Sequence, residues 1–190
     1  MPNLKEIIKT IQDKMPPDTV ARFDFPKTKG SPPEEVTAFL RQMESLLSKE
    51  QCLAVMTEQG CAKSGATDKE HREFGQMHEG KPIEEKLALL RENGPHKGLD
   101  KKINGDGTLT IAWAYGEEGN YRCICRKISR LLKENPSVEV PSSFCGCCGG
   151  HIRYHNEHAL GVKLKLKEIV SSPLITGGEK RCEFLFEILE

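Results

Sequence analysis

The chain has 190 residues, 37% of them hydrophobic and 29% charged, with Lys+Arg and Asp+Glu balanced at 28 each. That length fits one domain able to bury a core without staples, and zero formal charge argues against a nucleic-acid binder, which needs a net basic face. No apolar run approaches the roughly 18 residues that span a bilayer, and Met1-Pro2-Asn3-Leu4-Lys5 lacks the basic start and apolar middle of a signal peptide, so a cytoplasmic protein without membrane contact is expected.

Leu4, Ile7, Ile8 and Ile11 recur at helical spacing, and Pro16-Pro17 stops that helix. Ser31-Pro32-Pro33-Glu34 reads as a capping box, a hydroxyl before prolines with a Glu three residues on. Val36, Phe39, Leu40, Met43, Leu46 and Leu47 then share one face, which predicts a helix running to about Lys49. A short helix holds Cys52, Val55 and Met56 and ends at Gly60. Residues 62–80 are polar without an apolar period, with room for helical turns from Lys69 to Phe74. Ile83, Leu87 and Leu90 mark another amphipathic helix, closed by Asn93-Gly94-Pro95.

The second half changes period. Asn104-Gly105-Asp106-Gly107 is a turn between extended runs, and Leu109, Ile111 and Trp113 alternate as a half-buried strand. After the turn at residues 116–120, Tyr121 to Cys125 pairs back as a strand. Ile128, Leu131 and Leu132 are helical before Pro136. A helix is expected from Ser142 to about His158 despite its glycines, ended by Gly161. Val162, Leu164, Leu166 and Ile169 alternate in a strand whose Lys163, Lys165 and Lys167 form a solvated face. Cys182, Phe184, Phe186 and Ile188 alternate in the last strand. The expected fold class is α+β. The helical half covers residues 1–95 and the sheet-containing, Cys-rich part residues 96–190, within a single domain 1–190.

The chemistry gathers in a Cys/His cluster. Eight cysteines are many for a reducing compartment, where clustered cysteines bind metal or do redox work more often than they form disulfides. Cys123-Ile124-Cys125 is one element; Cys145-Gly146-Cys147-Cys148-Gly149-Gly150-His151, extended by His155 and His158, is the other. On a helix Cys147 and His151 are four apart, and Cys148, His151 and His155 share a face. On a strand both sulfurs of Cys-x-Cys face one side. Thiolates joined by imidazole are the donor set of tetrahedral zinc, with an iron–sulfur cluster as the alternative soft-ligand group. Candidate ligands are Cys123, Cys125, Cys145, Cys147, Cys148, His151 and His155. Redox-active thiols, with Cys147-Cys148 the vicinal pair, and buried inert thiols are the competing readings. On paper, Cys148 with His151 or His155 also has the makings of a nucleophile and base. Gly146, Gly149 and Gly150 serve either close helix packing or a backbone bent around a metal. Cys52 and Cys61 are read as core residues; His71, His78 and His96 lie in polar stretches and are read as surface residues.

The run from Cys145 through His151, then Gly161, the strand to Glu168, and Gly177-Gly178-Glu179-Lys180-Arg181-Cys182-Glu183-Phe184 resembles the end of 4-vinyl-reductase-type domains. Similar endings occur in bacterial aminothiazoline-carboxylate-hydrolase-like proteins. The resemblance covers about a quarter of the chain. It implies an α+β domain related to TRAPP-type and haem-NO-binding folds, a small hydrophobic ligand, and a zinc for which Cys148, Glu168 and Cys182 are candidate ligands. The family's further Cys shortly after the Glu is replaced here by Ile169, Val170, Ser171 and Ser172.

These observations lead to one expected function: a zinc-binding module that binds or senses a small molecule. Its alternatives are a metal- or cysteine-dependent hydrolase or reductase, and a structural domain with buried thiols. The helical half also offers a surface for homodimerisation.

Overall fold

The computed structural model describes residues 4–28, 32–60 and 63–189. Helix α1 (Leu4–Lys14) buries Leu4, Ile7, Ile8 and Ile11, the residues that set its period. Pro16-Pro17 ends it, but Pro17 also opens a short helix, α2 (Pro17–Val20), because proline at the first helical position lacks only an N–H that would be unpaired there. Ser31, the expected cap, lies outside the described residues. Helix α3 (Pro33–Leu46) follows Pro32 and stops short of Lys49. The reason is a capping box one turn later. Ser48 Oγ accepts from the Gln51 amide at 3.2 Å, and Gln51 Oε1 accepts from the Ser48 amide at 2.9 Å. Ser48 thereby starts α4 (Lys49–Glu58), which buries Cys52, Leu53, Val55 and Met56.

The polar stretch holds more structure than its composition suggests. It contains a full helix, α5 (Ala66–Met77), which buries His71 and Phe74. Its inward face also carries Gly75, where an added Cβ would stand 2.1 Å from the His158 carbonyl oxygen. One aromatic, one imidazole and one glycine give no apolar period. After α6 (Ile83–Glu92) come β1 (Asp100–Ile103) and β2 (Leu109–Trp113), joined by the Asn104–Gly107 turn. The strand expected over residues 121–125 is not formed. Only β3 (Gly116–Glu117) and β4 (Asn120–Tyr121) pair, so Cys123 and Cys125 lie on a loop before α7 (Arg126–Glu134).

A 3-10 turn at Ser142–Phe144 leads into α8 (Cys145–Leu160). Gly161, at φ 71°, forms its left-handed C-cap, and buried Lys86 donates to the Leu160 carbonyl at 2.8 Å, placing a cation on the negative end of the helix. The chain finishes with β5 (Lys163–Ser171), a short helix α9 (Pro173–Thr176) and β6 (Cys182–Leu189). The four long strands form one antiparallel sheet in the order β1-β2-β6-β5. The protein is thus α+β, with a helical N-terminal region and a C-terminal sheet packed against helices. No described helix is long and apolar enough to cross a membrane.

Helix α8 is the axis of this arrangement. Two hydrophobic clusters flank it: one built by α1, α3, α4 and α7, the other by α5, α6 and the sheet. Its glycines are there for contact. A Cβ on Gly150 would stand 1.9 Å from the Thr57 carbonyl oxygen of α4, one on Gly146 would stand 2.7 Å from Met56 Cβ, and one on Gly149 would stand 2.6 Å from Leu166 Cδ2 of β5. Close packing is therefore what these residues serve. Backbone oxygen cannot yield as a side chain can, so Gly150→Ala is expected to cost about 3 kcal/mol, the upper part of the range for overpacking. Gly105→Ala, with nothing within 4 Å of the new Cβ, is the near-neutral comparison. Urea denaturation of both variants measures the difference.

Candidate functional site

The thiols come together where the loop before α7 meets the first turn of α8 and the start of β6. Cys123, Cys125, Cys145, Cys148 and Cys182 line one small void of about 10 Å³, closed by Ile124, Ile128, Phe144, Leu174 and Phe184. Three separated segments supply these five sulfurs, and the site needs all of them in place. Among the described residues no disulfide bond is present.

Each sulfur has a definite environment. The Cys148 and Cys125 thiols are in hydrogen-bond contact, which together with burial and the neighbouring thiols pushes the Cys148 thiol well above the usual range. Burial pushes Cys182 up to about 12, and the Ile124 amide opposes this by donating to its sulfur. Burial also pushes Cys145 up to about 12; its Sγ lies 3.4 Å from Ser172 Oγ, to which it donates. Cys123 is raised by burial and by Cys125, while the Leu174 amide pulls the other way. Backbone amides aimed at Cys123 and Cys182 would favour the thiolate form if a cation entered, since hydrogen bonds to the charged form stabilise it.

Four expected ligands belong elsewhere. Cys147 points to the opposite side of α8, where its Sγ donates to the Gln59 carbonyl at 3.2 Å and packs into the N-terminal core. One residue's step around a helix, about 100°, separates it from Cys148. His151 and His155 do share a face, but they turn to other imidazoles, their ring centroids 4.6 Å apart. Glu168 also lies apart. Continued alternation from Leu164 and Leu166 would place it on the core face, but a bulge between Leu166 and Glu168 inserts Lys167 and shifts the register. Glu168 is consequently exposed and pairs with Lys49 at 3.2 Å.

The sequence reading of the histidines needs the larger correction. His71 is fully buried and His96 is partly buried, rather than both being surface groups. Their ring centroids are 4.7 Å apart, His71 and His155 are also at 4.7 Å, and His96 lies 6.0 Å from His155 and 6.3 Å from His151. Trp113 of β2 closes one side, 5.4 Å from His96. Lys101 of β1, 1% exposed, donates from Nζ to the His96 carbonyl at 3.2 Å. His96 holds φ 53°, a left-handed conformation costly for a residue with a Cβ but less uncommon for His than for most. That conformation lets its carbonyl meet both Lys101 Nζ and the Leu99 amide. No periodic signal marks this cluster, because its members come from α5, a loop and α8.

With the side chains as they stand, no group of three or more His, Cys, Asp or Glu among the described residues is arranged so that it could hold a metal ion. A family of known proteins offers no further guide: no family model, curated protein or solved structure matches the chain.

The histidine cluster does make a pH prediction. Burial, then His71, His151, His155 and Lys101, push His96 down to about 4, and burial lowers His71 as well. Folded values below the unfolded value of about 6.5 mean that the fold prefers neutral rings. This contribution is whole above the unfolded value and is lost as pH falls through the folded one. With a chelator present, the melting temperature is expected to fall between pH 6.5 and 4, and His96→Gln to flatten that fall. Scanning fluorimetry across this range gives the answer; a flat wild-type profile would contradict it.

Proposed function

We propose that Cys123, Cys125, Cys148 and Cys182 hold a soft metal ion, zinc first and an iron–sulfur group second, with Cys145 held back by Ser172. The observation that carries this is the convergence of five thiols from three chain segments on one void. Packing alone asks only for apolar volume, which Ala, Val or Leu supplies without a titratable sulfur. A tetrathiolate set is the standard structural zinc donor group, and the amides of Leu174 and Ile124 already point at two of the sulfurs. The same raised thiols speak against a nucleophilic Cys148, which would need a lowered value to present thiolate at neutral pH.

A groove of about 570 Å³ adjoins the thiol void and shares Cys123 and Leu174 with it. Tyr121, Leu132, Val138, Val140 and Pro173 give it apolar walls, and Arg122 and Glu139 give it charged groups. Its size falls within the range of small-molecule sites. This supports a metal-centred module that binds a small, partly apolar molecule. Cys123 stands in both sites, so occupancy of one would be felt at the other.

Anaerobically purified protein is expected to carry at least one zinc per chain by elemental analysis. Cys148→Ser and Cys125→Ser should lose about one equivalent, and Cys147→Ser, whose sulfur lies on another face of the helix, should keep it. If iron and sulfide are found instead, with a brown colour, the cluster form of the site is the correct one. Metal-free protein whose thiols titrate slowly in native buffer would overturn the reading in favour of buried inert thiols.

A further inference from the structure

We infer that the buried imidazoles of His71, His96, His151 and His155 form a second metal site, for a borderline divalent cation such as zinc, nickel or cobalt, separate from the thiol pocket. Three independent features meet here. The first is the fixed tautomer of His71. Its Nδ1 lies 2.7 Å from the Thr67 carbonyl, which can only accept, so Nδ1 carries the proton and Nε2 keeps a lone pair. That Nε2 is buried, with no hydrogen-bond partner among the described residues. A buried acceptor left without a donor forfeits the hydrogen bonds that water would have given it. A ring nitrogen whose partner nitrogen is tied to a backbone carbonyl is also the arrangement that orients histidine ligands to metals.

The second feature is spacing. On a tetrahedral ion with metal–nitrogen bonds of about 2.0–2.1 Å, imidazole centroids lie about 5 Å apart. The observed separations run from 4.6 to 6.3 Å. With the side chains as they stand, no three of these residues are arranged to hold a metal ion, so the proposed site forms only when the rings reorient around the ion. The third is the helix repeat: His151 and His155 are four apart on α8, the spacing that puts two imidazoles on one side of one ion.

The surroundings bear on the choice of ion. Lys101 approaches from β1 and places its Nζ on the His96 carbonyl at 3.2 Å, so the cluster is bounded on that side by a side chain tied to its own backbone. A soft monovalent ion would prefer the thiols; a hard cation such as magnesium would prefer oxygen donors. The imidazole set suits the divalent ions named above.

The test uses the full-length protein labelled with ¹⁵N-histidine and titrated with zinc, following the side-chain nitrogens by NMR. Expected are saturable shifts of the His71, His96, His151 and His155 resonances, with His78 and His158 unmoved. His71→Gln should weaken this step at least tenfold. Cobalt loading reports the thiol pocket in parallel, through its thiolate charge-transfer absorption, which His71→Gln should leave intact. The two sites can therefore fail separately: loss of the thiol signal leaves the imidazole shifts standing. Wild-type imidazole resonances that stay put in excess zinc, or shifts confined to His78 and His158, would overturn the inference without any variant having to fold.

Discussion

The structure depends on how closely α8 can approach α4. With Gly150 against the Thr57 carbonyl and Gly146 against Met56 Cβ, the two helices touch backbone to backbone. That contact places both ends of the chemistry. Cys145 and Cys148 in the first turns of α8 reach the loop of Cys123 and Cys125, and His151 and His155, one and two turns on, reach α5 and the loop of His96. A larger residue at position 150 would push α8 away from α4 and against the sheet, where Gly149 already leaves no room beside Leu166. The glycines that look like interruptions of the helix are what hold its neighbours in register with it.

Burial then sets the character of both clusters. It raises the Cys145 and Cys182 thiols and lowers the His71 and His96 imidazoles, so at each of these residues it favours the neutral form. A neutral buried sulfur is a poor nucleophile and a neutral buried imidazole a good ligand. Both clusters therefore lean toward binding rather than covalent chemistry. The exposed charges contribute little to this. Pairs such as Lys165 with Glu50 and Arg130 with Glu134 lie on the surface, where water and salt screen the attraction.

Much of the fold can be read from periodicity. Leu4, Ile7, Ile8 and Ile11 specify α1, and the alternation of Cys182, Phe184 and Phe186 specifies β6, because each element buries one face and its apolar residues must recur at the element's own repeat. The α+β class and the turn at Asn104–Gly107 follow from the same local rules. Density along the chain also picks out Cys123, Cys125, Cys145 and Cys148 of the thiol void, but it includes Cys147, which lies elsewhere, and Cys182 entered only through the resemblance. Local rules failed where burial was not apolar. Helix α5 turns a histidine, a phenylalanine and a glycine inward, so its polar composition concealed it.

Grouping across the chain was decided only in three dimensions. Cys147 and Cys148 are neighbours in sequence, yet the helix sends one to the N-terminal core and the other to the thiol void. Glu168 left the core face because one bulge residue changed the parity of β5. His71 and His96 joined His151 and His155 from positions 55 or more residues away, a contact that no local pattern encodes. By itself, the sequence determined which residue types could do chemistry and which elements would carry them, because those depend on spacing within one segment. The tertiary structure decided which of them meet, because that depends on how closely separate segments can approach, and here a few glycines on one helix set that distance.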